Sequence, residues 1–138
     1  MYGTFPNPTL VYPEHRLKPN DLMHFIEAAP FTKRWLRLQL SDEDLMALQI
    51  LLCIEPKGGD VIKGTGGVRK LRFSPPKWNR GARDSLRICY AHFEEYHIIL
   101  LLLAYAKGEK DDLTNEEKEA MKKYLESIEE ALARGCYN

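Results

Sequence analysis

The chemistry in this sequence is carried by cations crowded into one stretch. Residues 57–93 hold nine lysines and arginines against two acidic residues, Asp60 and Asp84. Lys70 and Arg72 alternate along one apolar run, Arg87 opens a second, and Lys107 closes a third. Cations spaced in this way can grip a phosphate and offset charge that builds on it. Arg69, Lys77, Arg80 and Arg83 widen the positive field, while Trp78 and Tyr90 offer rings on which unpaired bases could stack. The flanks are acidic: residues 1–56 carry 5 basic and 7 acidic groups, and residues 94–138 carry 6 and 11. The net charge of zero over 138 residues therefore hides a basic middle that a polyanion would meet.

Other chemistries find less support. Gly64-Thr65-Gly66-Gly67 lacks the GK[ST] ending of a phosphate-binding P-loop and leads into a strand, so its glycines read as turn residues. His15, His24, His92 and His97 have no partner at metal-ligand spacing, and neither metal nor cofactor is expected. Cys53, Cys89 and Cys136 form no CxxC pair, and the first two sit in apolar runs, which fits a reduced, cytoplasmic protein. Residues 1–10 show no basic leader followed by an apolar stretch. The longest apolar run, Ile98–Ala106, has nine residues where a bilayer span needs about 20, so no secretion and no membrane partner are expected.

The elements that must position the cations follow from periodicity. Residues 1–23 hold four of the eight prolines and read as an extended arm, leaving 24–138 as one domain. His24–Glu27 reads as a short strand closed by Ala28-Ala29-Pro30, and Phe31–Leu38 as a short amphipathic helix. Ser41 is a helix N-cap with acidic residues in the first turn, and Pro56 with Gly58-Gly59 ends that helix. Val61–Gly67 reads as a connector. In Val68–Phe73, period two puts Leu71 and Phe73 on one face and Lys70 and Arg72 on the other. Ser74–Asp84 is a polar loop, Ser85–Phe93 a strand, Glu94–His97 a hairpin turn, and Ile98–Tyr105 a central strand apolar on both faces. Thr114 with Glu117 makes a capping box for a C-terminal helix that ends at Arg134-Gly135. The fold class is α+β: an antiparallel sheet of about four strands with N-terminal helices and a C-terminal helix packed on it.

Three separated motifs carry a resemblance. Gly59–Arg72 (GDVIKGTGGVRKLR), Arg87–Tyr90 (RICY) and Tyr105–Thr114 (YAKGEKDDLT) are similar, in order and spacing, to RelE/HigB-type toxins of bacterial toxin-antitoxin modules, within the RelE/ParE superfamily. With Phe25-Ile26-Glu27, Phe31-Thr32-Lys33 and Leu40–Glu43, the resemblance covers residues 24 to about 128. It implies an mRNA endonuclease that cuts in the ribosomal A site by attack of a 2′-hydroxyl on the adjacent phosphate, without a metal, and that is silenced by a cognate antitoxin, the latter of helix-turn-helix type.

By motif, the resemblance implies that Lys70, Arg72, Arg87 and Lys107 are catalytic, while Arg69, Lys77, Trp78, Arg80, Arg83 and Tyr90 are expected to contact RNA from the run of cations and interleaved rings. Arg87 is the candidate for phosphate stabilisation. A guanidinium stays charged and shuttles protons poorly, so Lys70 is the better general base, and Lys107 would serve the leaving group. The pattern departs at Gly108 and Thr114, where RelE carries an arginine and a tyrosine. ParE-type relatives share the scaffold and poison DNA gyrase by binding alone, which keeps a non-enzymatic inhibitor, or a plain nucleic-acid-binding module, as the alternative. The antitoxin is expected on the apolar stripe of the last helix or in the groove beside the sheet.

Overall fold

The computed structural model of the chain describes residues 22–78, 85–106, 108–109 and 112–135. Among these the elements run β1 (His24–Glu27), α1 (Ala29–Arg37), α2 (Asp42–Ile54), β2 (Asp60–Val61), β3 (Arg69–Phe73), β4 (Leu86–Phe93), β5 (Ile98–Ala106) and α3 (Asn115–Ala133). Single 3-10 turns occupy Pro76–Trp78 and Glu94–Tyr96. The N-terminal arm lies almost wholly outside the described residues.

The α+β class holds, with two corrections to the sheet. It has five strands in the order β1-β5-β4-β3-β2, and β1 runs parallel to β5 while every other pair is antiparallel. The fifth strand is β2, which meets the stretch read as a connector only at Val61. It has two exposed residues and so carries no alternation signal. The direction of β1 is set at the far edge of the sheet, where His24 registers with Ile98 and Glu27 with Leu101. Ala28 N–H then bonds Leu101 O at 2.9 Å, so the chain leaves the strand straight into α1. Ala29 and Pro30, read as the strand's closure, are instead the first turn of α1, where a proline loses no helical hydrogen bond.

Helices cover both faces of the sheet. On the first, Phe31 and Trp35 of α1 and Leu45, Leu48 and Leu52 of α2 pack on Phe73, Leu86, Ile88, Ile99 and Leu101. On the second, Leu125 and Leu132 of α3 pack with Cys89, Ala91, Phe93, Leu100 and Leu102. β5 sits between these two layers, which is why its sequence is apolar at every position. Both reciprocal capping boxes form: Ser41 with Asp44 opens α2, and Thr114 with Glu117 opens α3. Gly135, at φ 71°, follows the α3 C-cap in the left-handed region.

Candidate nucleic-acid interface

The hairpin β2–β3 and strand β4 carry the cations. Lys70 and Arg72 lie two residues apart on β3, so their side chains leave the same face about 7 Å apart. The register pairs Arg72 with Arg87 and Lys70 with Cys89 across β3 and β4, and Lys70 with Asp60 across β3 and β2. Directly opposed residues share a face, with Cβ atoms about 5 Å apart. Asp60, Lys70, Arg72 and Arg87 therefore converge, and together with Gly58 and Leu71 they line one hollow of about 560 Å³. Arg87 donates to the Ser85 hydroxyl at 3.0 Å. Among the described residues no ion pair engages Lys70, Arg72, Arg87 or Asp60.

The row of Arg72 and Arg87 continues to Tyr105 on β5. Tyr105 is 2% exposed, and among the described residues its hydroxyl has no hydrogen-bond partner. Burial, reinforced by the nearby Cys89 and Asp112, pushes that phenol up to about 12, so it stays neutral beside the cations.

Two residues expected to contact RNA are placed behind the hollow. Arg69 has the parity of Leu71 and Phe73, not of Lys70, and its guanidinium donates to Gly59 O at 2.7 Å and Lys57 O at 3.3 Å. Tyr90, opposite Arg69, is fully buried, so its ring offers no platform to a base. Its hydroxyl donates to Pro56 O at 2.9 Å and accepts from Gly59 N at 3.0 Å. Burial holds this phenol above its ordinary value of 10.0, against the pull of the Gly59 bond and of Arg69, which keeps it a donor. Arg69 and Tyr90 thus pin the turn that supplies Gly58 and Asp60 to the hollow. Gly59 belongs in that turn because a Cβ would stand 2.8 Å from Lys70 O.

The effect of removing this pin is measurable. Tyr90→Phe leaves a buried N–H and a carbonyl without their partner and is expected to lower stability by about 1–3 kcal/mol. Urea denaturation of the two proteins reads this; equal midpoints at equal slope would mean that water replaces both bonds.

Of the other expected site residues, two lie among those the structure describes. Trp78 is half-buried and packs against the first core, which removes most of its ring from solvent. Lys77 contributes its backbone to the Pro76–Trp78 turn. Arg80, Arg83 and Lys107 lie outside the described residues. Next to Lys107, Glu109 forms a clasp: its carboxylate accepts from Ala106 N at 2.7 Å and pairs with Arg34 of α1. The Ala106 bond, then Arg34, holds the Glu109 carboxyl below its ordinary 4.5. A depressed folded value means that the clasp stabilises above the unfolded value and is lost as pH falls through the folded one. Thermal melts at pH 7 and at about pH 3 test this: the gap between the parent and Glu109→Gln should close on acidification, and a gap constant with pH would contradict it.

Asp60 is the site residue that sequence reasoning missed. Its place depends on β2 being paired, and nothing in the composition of a glycine-rich connector signals that pairing. Among the described residues no cluster of His, Cys, Asp and Glu could hold a metal ion, and no helix is long and apolar enough to cross a membrane. No protein-family model matches the chain.

Proposed function

We propose that this protein is a toxin of RelE/HigB type, a ribosome-dependent mRNA endonuclease acting in the cytoplasm and silenced by a cognate antitoxin. The supporting observation is the convergence of Lys70, Arg72 and Arg87 on one hollow, faced by Asp60. A ribose-phosphate link is an anion with a hydroxyl beside it, and this hollow offers three cations and one carboxylate.

The chemistry the arrangement suits is transesterification. The ribose 2′-oxygen bonds to the adjacent phosphorus as the P–O5′ bond breaks, giving a 2′,3′-cyclic phosphate and a 5′-hydroxyl. One proton leaves the 2′-hydroxyl and one reaches the 5′-oxygen. Arg72 and Arg87, side by side, suit the extra charge on the phosphorane oxygens, where planar guanidinium forks match phosphate geometry. To Lys70, one row away with Asp60 opposite, we assign the proton leaving the 2′-hydroxyl, which the amine accepts only in its neutral form. Lys107 is assigned to the leaving oxygen by its motif alone.

Primer extension on messages translated by ribosomes tests this reading. New 5′ ends within codons are the expected result, with growth arrest on expression. A protein that cuts no message but blocks DNA supercoiling by gyrase would be the non-enzymatic inhibitor instead. One that binds RNA with steep salt dependence, yields no product and leaves gyrase untouched would be a binding module.

A further inference from the structure

The glycine loop between β2 and β3 finds no place in the reading above. Ile62 N–H bonds Val68 O at 2.7 Å, and the buried Thr65 hydroxyl donates to Ile62 O and accepts from Val68 N, closing the loop on itself. Gly64, Gly66 and Gly67 are exposed with positive φ, and among the described residues no hydrogen bond engages their N–H groups. Backbone amides presented this way form concavities that suit anions.

Lysines from a second element flank that loop. A Cβ built at Gly66 would stand 3.3 Å from Lys122 Cγ, and one at Gly64 would stand 3.8 Å from Lys118 Cδ. The aliphatic stems of both α3 lysines thus run along the loop, and Lys63 joins them from within it. Lys118 and Lys122 are four residues apart, so their charges share one helical row, which Glu126 continues a turn later. No ion pair engages Lys63, Lys118 or Lys122 among the described residues. The loop joins β3 through Val68, which shares its face with Lys70 of the hollow.

From this we infer that Lys63, Lys118, Lys122 and the glycine amides form a second phosphate-binding surface, over which a nucleic-acid backbone passes next to the hollow. The surface rests on the RNA reading of the hollow but needs no catalysis. Its ligand is a phosphodiester chain, supplied either by the message or by ribosomal RNA.

The test is the salt dependence of binding. Lys118→Gln/Lys122→Gln is compared with the parent and with Lys123→Gln, which lies on the neighbouring helical row. Binding is measured to an uncleavable 2′-O-methyl oligonucleotide and, separately, to empty ribosomes. Losing two phosphate contacts should flatten the log K against log salt slope by about 1.4, at about 0.7 per single-strand phosphate, with Lys123→Gln unchanged. Flattening on the oligonucleotide assigns the surface to the message, and flattening on ribosomes alone assigns it to ribosomal RNA. Unchanged slopes in both arms, or an equal change in Lys123→Gln, overturn the inference. Primer extension run alongside separates the two ideas: cuts with unchanged slopes retain the endonuclease and remove the surface, and flattened slopes without cuts do the reverse.

Discussion

On the proposed endonuclease function, Arg87→Ala is expected to slow message cleavage on the order of 10²–10³-fold while leaving the protein folded. Arg87 is partly exposed, and the one hydrogen bond of its guanidinium among the described residues is to the Ser85 hydroxyl, so the melting temperature should stay within a few degrees. Its guanidinium stands beside that of Arg72 at the wall of the hollow, where charge would build on phosphorus. Removing one group that stabilises developing charge costs on the order of 10²–10³-fold in rate. Arg87→Lys keeps the charge and loses the fork, and should recover only part of the activity. Single-turnover cleavage on programmed ribosomes reads both variants. Parent-like rates for Arg87→Ala would remove the hollow from the mechanism.

Ile88→Ala should give the opposite pattern one residue along the strand. Ile88 is fully buried in the core beneath α1 and α2, on the face away from the cations. Deleting buried methyl groups costs their transfer energy and leaves a cavity, together about 2–5 kcal/mol. For a domain of this size the melting temperature would fall on the order of 10 °C. At a temperature where the variant is still folded, its cleavage rate per folded molecule should match the parent's. Calorimetry with single-turnover kinetics separates these outcomes; a rate lost in proportion to that of Arg87→Ala would show that the hollow depends on the packing behind it. Alternation along β4 allows neighbours to part in this way, since Arg87 and Ile88 leave the sheet on opposite sides.

The local grammar of the sequence was readable wherever one residue type has one mechanical meaning. Ser41 caps α2, the Thr114/Glu117 box opens α3, and the alternation of Lys70, Leu71, Arg72 and Phe73 places those side chains, all as expected. What escaped was pairing. Strand β2 has too few residues to show a period, so Asp60 went unnoticed as a wall of the hollow. The parallel direction of β1 leaves no trace in four residues, because either direction buries the same side chains. Arg69 was grouped with its neighbours by charge although parity assigns it to the other face. Tyr90 was judged by its ring, whereas its hydroxyl, held between Pro56 and Gly59, fixes its role. Lys118 and Lys122 belong to a segment that is acidic by count, and only the packing of α3 beside the glycine loop brings their stems to it.

The strand at the parallel edge also sets a schedule. Because β1 registers with β5, this edge of the sheet cannot close until the intervening helices and strands have been made. Pairing across so long a span must meet its loop-closure entropy before any contact rewards it, so it forms late. The cations, by contrast, sit on β2, β3 and β4, whose antiparallel pairings span short stretches of chain, so the hollow can assemble before the parallel edge is in place.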